Sequence, residues 1–169
     1  MGPNPVTLRT ERLILRPFLT TDAAALHVFF ADPAATRYWG NVHESLAETL
    51  AFVEGTRAAD PARTCDFILE YEGQVIGKAG MWSLPEVGFF ILPKFQLRGF
   101  AREALAAILP HLFETYDVPA LTADVDPDNL GSLALLAGLG FRETHRKART
   151  MQIGERWCDS VFLALERVS

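Results

Sequence analysis

The segment from Glu86 to Arg102 constrains the fold more than any other. Glu86-Val-Gly-Phe-Phe-Ile-Leu92 is a nearly continuous apolar run stopped by Pro93, which predicts a central strand buried on both faces. Gln96-Leu-Arg-Gly-Phe-Ala101 follows and opens the clearest helix, in which Leu105, Ile108, Leu109, Leu112 and Phe113 recur on one face. Pro110 interrupts that helix, but the apolar register continues across it, so a kink is expected and not a stop. A loop feeding a helix N-terminus offers unpaired backbone N–H groups and the positive end of the helix dipole, which together favour an anion. Gly99 has no Cβ to hold a bulky anion off, and Lys94, Arg98 and Arg102 put three cations around the same mouth. The plainer alternative is an ordinary strand-to-helix turn that contains a glycine.

The flanking segments place this unit in a mixed fold. A strand is predicted over Arg12–Phe18, then a helix from the Thr20-Thr21-Asp22 cap cluster to Phe30, ended by Asp32-Pro33. A second helix spans Glu44–Arg57 and closes at Asp60-Pro61. Phe67-Ile68-Leu69 and Val75-Ile76-Gly77 flank Glu72-Gly73 as a hairpin, with Ala79–Trp82 extending its second arm into a meander with the Glu86 run. Ala120–Val125 predicts another strand, and a short helix runs to Ala137, stopped by a left-handed Gly138 or Gly140. Phe141–Met151 and Arg156–Leu165 form a closing hairpin. The expected class is α/β (α+β), a mixed, mostly antiparallel sheet of about six or seven strands flanked by helices. It forms a single domain over residues 1–169, with residues 1–7 a flexible tail.

Composition narrows the function. A chain of 169 residues that is 49% hydrophobic and 22% charged can bury an adequate core without staples, so Cys65 and Cys158 read as free thiols of a reducing compartment. No run approaches a membrane span and no apolar leader opens the chain, which predicts a cytoplasmic protein with no membrane partner. The net charge of -5 argues against a nucleic-acid partner and leans toward cationic small partners such as amines. His27, His43, His111 and His145 lack metal spacing, so no metal is expected, and Cys65 has no neighbour that would make it a nucleophile.

Neither the P-loop pattern nor the dinucleotide G-x-G-x-x-G is present. The segments Thr10-Glu-Arg-Leu-Ile-Leu-Arg-Pro17, Arg37-Tyr-Trp39, Glu86-Val-Gly-Phe-Phe90, Gln96-Leu-Arg-Gly-Phe-Ala101, Asn129-x-x-Ser132, Leu139-Gly-Phe141 and Trp157-x-Asp159 instead resemble, in order and over nearly the whole chain, the GNAT superfamily of acyl-CoA-dependent N-acyltransferases, and within it the RimJ/RimL-type branch. The loop matches that family's Q/R-x-x-G-x-G/A motif, with Ala101 where many members carry Gly.

The resemblance implies acetyl-CoA as cosubstrate. Its pyrophosphate would lie on the amides of Leu97, Arg98, Gly99, Phe100 and Ala101, with Gln96 and Arg102 in the same loop. The pantetheine would pair like an extra strand with Phe89, Phe90 and Ile91. Asn129 would meet the pantetheine or simply cap its helix. Glu86 at the entry of the strand is the candidate base for the acceptor ammonium, or a solvated strand-end carboxylate. A backbone N–H of Phe89–Ile91 is the candidate oxyanion donor. Tyr38, Tyr71 and Tyr116 all lie away from the helix where many members keep a tyrosine; the resemblance to the RimJ/RimL branch, in which the Ser of N-x-x-S takes that place, implies Ser132 as the group that meets the departing thiolate, the plainer alternative being a helix-surface hydroxyl. Tyr38 and Trp39 would wall the acceptor cleft or join an aromatic core cluster, and Asp22, Glu44 or Asp159 could meet a cationic acceptor. The acceptor itself, a protein N-terminus or a small-molecule amine, is not written in these motifs. Two readings follow: an N-acetyltransferase using direct transfer in a ternary complex, or a module of the same fold that binds or senses acyl-CoA without turnover. The closing hairpin offers an edge for a homodimer, and a monomer is equally compatible.

Overall fold

A computed structural model describes residues 6–169 and contains an eight-stranded sheet flanked by helices. In chain order the elements are β1 (Leu8–Arg9), β2 (Leu13–Arg16), α1 (Ala23–Phe30), α2 (Pro33–Thr36), α3 (Leu46–Ala58), β3 (Cys65–Tyr71), β4 (Gln74–Ser83), β5 (Glu86–Ile91), α4 (Phe100–Thr115), β6 (Ala120–Val125), α5 (Leu130–Gly138), β7 (Arg142–Ile153) and β8 (Arg156–Glu166). The strand order is β1-β2-β3-β4-β5-β6-β8-β7, and every neighbouring pair is antiparallel except β5 and β6. The eighth strand is the two-residue β1, too short to carry an alternation signal. Residues 1–5 of the expected tail lie outside the described residues, and Val6 beyond them packs against the core.

Local chemistry explains most boundaries. Asp32-Pro33 ends one helix and starts the next: Asp32 accepts the Ala34 N–H at 2.9 Å, and Pro33 occupies the first helical position of α2, where its missing N–H costs nothing. The pair is thus a helix start as well as a breaker. α4 runs on through Pro110, and Leu105, Ile108, Leu109 and Leu112 are buried along it. Of the two candidate helix stops after α5, Gly140 takes the left-handed role with φ 101°, and the Phe141 N–H reaches back to the Leu136 carbonyl at 3.0 Å. Gly138 serves another purpose, since a Cβ there would stand 2.7 Å from Nη1 of Arg102.

The apolar face of the sheet toward α1 and α3 closes on an aromatic cluster. Phe29 stacks on Phe90 with centroids 3.9 Å apart, and Trp39 meets Phe29, Phe30 and Phe90 edge-on. Inside the same layer lies the ion pair Lys78–Asp66, Nζ to Oδ2 2.8 Å, with Lys78 only 1% exposed. Such a pair is stable only with both partners present. Asp66 is pressed against Gly80, where a Cβ would come within 2.4 Å of the Cys65 carbonyl oxygen and 2.9 Å of Asp66 Oδ1. Gly80→Ala must therefore push strand backbone apart and should lower unfolding free energy by about 3 kcal/mol. A urea titration with an unchanged midpoint would show that β3 and β4 tolerate the added methyl.

Candidate active site

β5 does not behave as a strand paired along both edges. It is paired along its length with β4, but its parallel partnership with β6 consists of the single register pair Glu86↔Thr122, where the Thr122 N–H donates to the Pro85 carbonyl at 3.0 Å. Beyond Glu86 the two strands diverge. The Leu92 N–H donates to Ile76 of β4, so by strand alternation the backbone groups of Phe89 and Ile91 point the other way, into the wedge between β5 and β6. Glu86, Gly88 and Phe89 are accordingly only half-buried, a departure from the two-sided burial expected of an apolar run.

The wedge opens into a cleft of about 560 Å³. Phe89, Phe90 and Ile91 line it from β5, Tyr38 and Trp39 from the segment after α2, and Asn129 and Ser132 from the start of α5. Gln96, Leu97, Gly99, Phe100, Ala101 and Arg102 close its far end. Gln96 completes the β5 edge, its Nε2 donating to the Ile91 carbonyl at 2.9 Å where a neighbouring strand would otherwise have bonded. Leu97 and Gly99 both adopt left-handed backbone, φ 61° and 79°, and Gly99 caps the 16-residue α4 with no side chain on the helix N–H groups. Successive amides turned inward in this way form an anion-binding concavity. A Cβ at Gly99 would meet only Arg12 Nη2, at 3.6 Å, so the approach to these amides is open.

Sequence reasoning missed what braces this loop. Arg12 donates to the Arg98 carbonyl at 3.0 Å and to Glu103 at 3.3 Å, and its guanidinium lies 4.2 Å over the Phe100 ring. Arg98 is spread over Tyr71 and Phe100 and does not line the cleft, nor does Lys94, whose ammonium sits 5.8 Å above Phe95. Of the three cations expected at the mouth, Arg102 is the one on the wall, where Gly138 gives it room.

Asn129 accepts the Ser132 N–H at 3.3 Å as the cap of α5, the plainer of its two expected parts, and it also lines the cleft. Trp39 likewise belongs to the aromatic cluster and to the cleft wall, and Lys78 Nζ lies 5.2 Å from its ring. The lone lysine in the apolar strand Val75–Trp82, opposite Asp66 on the neighbouring strand, was the available signal for that buried pair. The acidic residues considered for a cationic acceptor do not gather here. Asp22 is held by Arg16 at 2.9 Å, Asp159 accepts the Arg149 N–H at 3.0 Å, and Glu44 is absent from the wall, whereas Asp32 is on it. Burial pushes the Cys65 thiol up to about 11 and the Cys158 thiol above its usual range, which disfavours the reactive thiolate of each.

Residues 12–142, which include the freed strand edge and the glycine-led helix, match the acetyltransferase (GNAT) domain. The chain belongs to the GNAT acetyltransferases. It is similar to the N-acetyltransferase YnaD of Bacillus subtilis (strain 168), 25% identical over 94% of this chain and 95% of that protein. It is also 26% identical over 55% of its length to 72% of the spermine/spermidine N(1)-acetyltransferase of the same organism. Among solved structures, RimJ of Mycobacterium smegmatis in complex with CoA-disulfide superposes with a TM-score of 0.80 at 25% identity, covering 98% of this chain and 90% of that one. RimL, a ribosomal L7/L12 alpha-N-protein acetyltransferase, gives 0.85 at 17% identity, over 96% and 95% of the two chains, and shares the fold. No cluster of three or more potential metal ligands and no helix long and apolar enough to cross a membrane occurs among the described residues.

Glu86 stands at the apex of the wedge, three residues before the first β5 residue of the cleft wall, on the β5 face that also carries Gly88 and Phe90. Burial raises its carboxyl above the usual carboxylate range, opposed by a hydrogen bond from Trp82 and aided by the charge of Asp124. A carboxyl raised on folding favours the native state at pH below its unfolded value of about 4.3, and that advantage is lost as pH rises through the folded value. Glu86→Gln should therefore gain stability relative to the parent between pH 4 and pH 7. Equal differences in melting temperature at the two pH values would contradict a raised Glu86.

Proposed function

We propose that this GNAT domain transfers the acetyl group of acetyl-CoA to a primary amine by direct transfer in a ternary complex. The observation that carries the reading is the free β5 edge at Phe89 and Ile91 leading straight to the open amides of Leu97–Ala101. Those backbone groups suit a pantetheine arm laid in as an extra strand, and the amides with Arg102 suit a pyrophosphate. When bound there, acetyl-CoA supplies an activated thioester; the protein supplies position and proton handling.

The Phe89 N–H, turned into the wedge, is the donor for the oxygen that gains charge as the amine nitrogen bonds to the acetyl carbon. Glu86 takes the ammonium proton at the apex, directly or through one water, and its raised carboxyl is closer in basicity to that task than an ordinary glutamate. Ser132 offers its hydroxyl to the sulfur as the carbon–sulfur bond breaks, where a thiol with a pKa near 8.5 needs a hydrogen bond more than a strong acid. Tyr38 and Trp39 wall the acceptor side. A protein N-terminus and a small-molecule amine both present the required group, and both kinds of acceptor occur in the names of similar proteins. The second reading, acyl-CoA binding without turnover, draws on Glu86 lying outside the cleft wall.

Two measurements test this. Gly99→Val should stay folded, losing about 1–2 kcal/mol to its left-handed backbone, while calorimetric CoA affinity falls at least tenfold because a branched side chain would occupy the open approach to the loop. Normal affinity would move the anion site elsewhere. In a thiol-release assay over a panel of amines, Glu86→Gln should lose on the order of 10²–10⁴-fold in kcat/KM with little change in acetyl-CoA affinity. No turnover with any amine at saturating acetyl-CoA would favour the binding module.

A further inference from the structure

Trp82 is a large aromatic left 52% exposed, and its position is a built one. The ladder between β4 and β5 steps from Met81↔Val87 to Ser83↔Glu86, so Trp82 is the extra residue of a β-bulge. Bulges re-aim a side chain at the cost of one unpaired residue. Here the indole swings over β5: Nε1 donates to Glu86 Oε2 at 2.8 Å, and Cδ1 lies 3.4 Å from where a Gly88 Cβ would be. Trp39 Cη2 lies 3.9 Å from the same position. The backbone is held as well, because the Trp82 carbonyl accepts the Thr64 hydroxyl at 3.2 Å. Glu86 thus has one oxygen fixed by an indole and the other left for a proton.

Resting on the reading of Glu86 as the base, we infer that Trp82 is its positioning residue: the bulge exists to bring the indole N–H onto one carboxylate oxygen, which orients Glu86 at the wedge apex and stabilises its ionised form. A donor that cannot itself titrate suits this part, since it assists the carboxylate at every working pH. The charged groups around Glu86 are Asp124 on β6, which opposes ionisation, the Lys78–Asp66 pair on the same sheet face, and Arg63, which donates to the Leu84 carbonyl in the β4–β5 turn at 3.4 Å. None of these donates a hydrogen bond to the Glu86 carboxylate.

Trp82→Phe keeps the aromatic body and deletes the donor. Because the lost bond favoured the charged form, the acid limb of kcat/KM against pH should move upward, giving a threefold to tenfold loss at pH values on that limb and less than a twofold change on the plateau. The Glu86 carboxyl resonance, followed by carbon-13 NMR without substrate, should titrate at higher pH in the variant. In the Glu86→Gln background Trp82→Phe should leave the pH profile unchanged. If Glu86→Gln is costly but Trp82→Phe lowers activity evenly at all pH values and leaves the Glu86 titration in place, Trp82 is only a packing residue and the base survives. If Glu86→Gln is itself within threefold of the parent, the base reading falls and the role of Trp82 falls with it.

Discussion

Everything at the site depends on one missing strand pairing. Glu86 and Thr122 form the one ladder pair between β5 and β6, and past it the ladder stops while both strands remain paired on their outer sides. A strand edge inside a sheet normally cannot be left unpaired, because a buried N–H or C=O without a partner costs about 1–3 kcal/mol. The fold handles this in two ways. Gln96 satisfies the Ile91 carbonyl, and the cleft leaves the remaining groups of the edge accessible to water or ligand. The cleft is thus the unfilled part of a sheet, with a strand edge along one wall.

The edge is useful only because its surroundings are stiff. On one face Phe29, Phe30, Trp39 and Phe90 lock the helical layer onto β5, with the Lys78–Asp66 pair beneath Trp39. At the mouth, Arg12 ties the start of β2 to the loop before α4 and to the helix itself. Held from two directions, Leu97 and Gly99 can keep left-handed geometry that would cost an isolated loop about 1–2 kcal/mol per non-glycine residue. The short Asn129-x-x-Ser132 segment brings a capped helix to the opposite wall, so one residue both caps α5 and faces the cleft.

The parts legible from sequence were those with a local signature. The apolar run and the glycine-led helix announced β5, the loop and α4, and Glu72-Gly73 announced the β3–β4 hairpin. The cap role of Asn129 and the core role of Trp39 were readable locally, and both residues also line the cleft. What stayed hidden depends on distant register. No local pattern reports that β5 parts from β6 after Glu86, so an apolar strand was expected to be buried on both faces. Arg12, Lys78 and Trp82 each act across at least one other element, and composition carried only their charge or size. Arg98 shows the converse: a cation at the expected place in sequence is turned away by Tyr71 and Phe100, which offer its guanidinium two ring faces.

Amide hydrogen exchange with and without CoA addresses the open edge itself. If the pantetheine pairs with β5, the N–H groups of Phe89 and Ile91 become slow to exchange on saturation with CoA, together with the amides of Leu97–Ala101, while those of Phe90 and Leu92, already bonded toward β4, change little. A protein saturated with CoA in which Phe89 and Ile91 exchange as fast as in the free form would contradict the account, because the ligand would then lie somewhere other than the wedge.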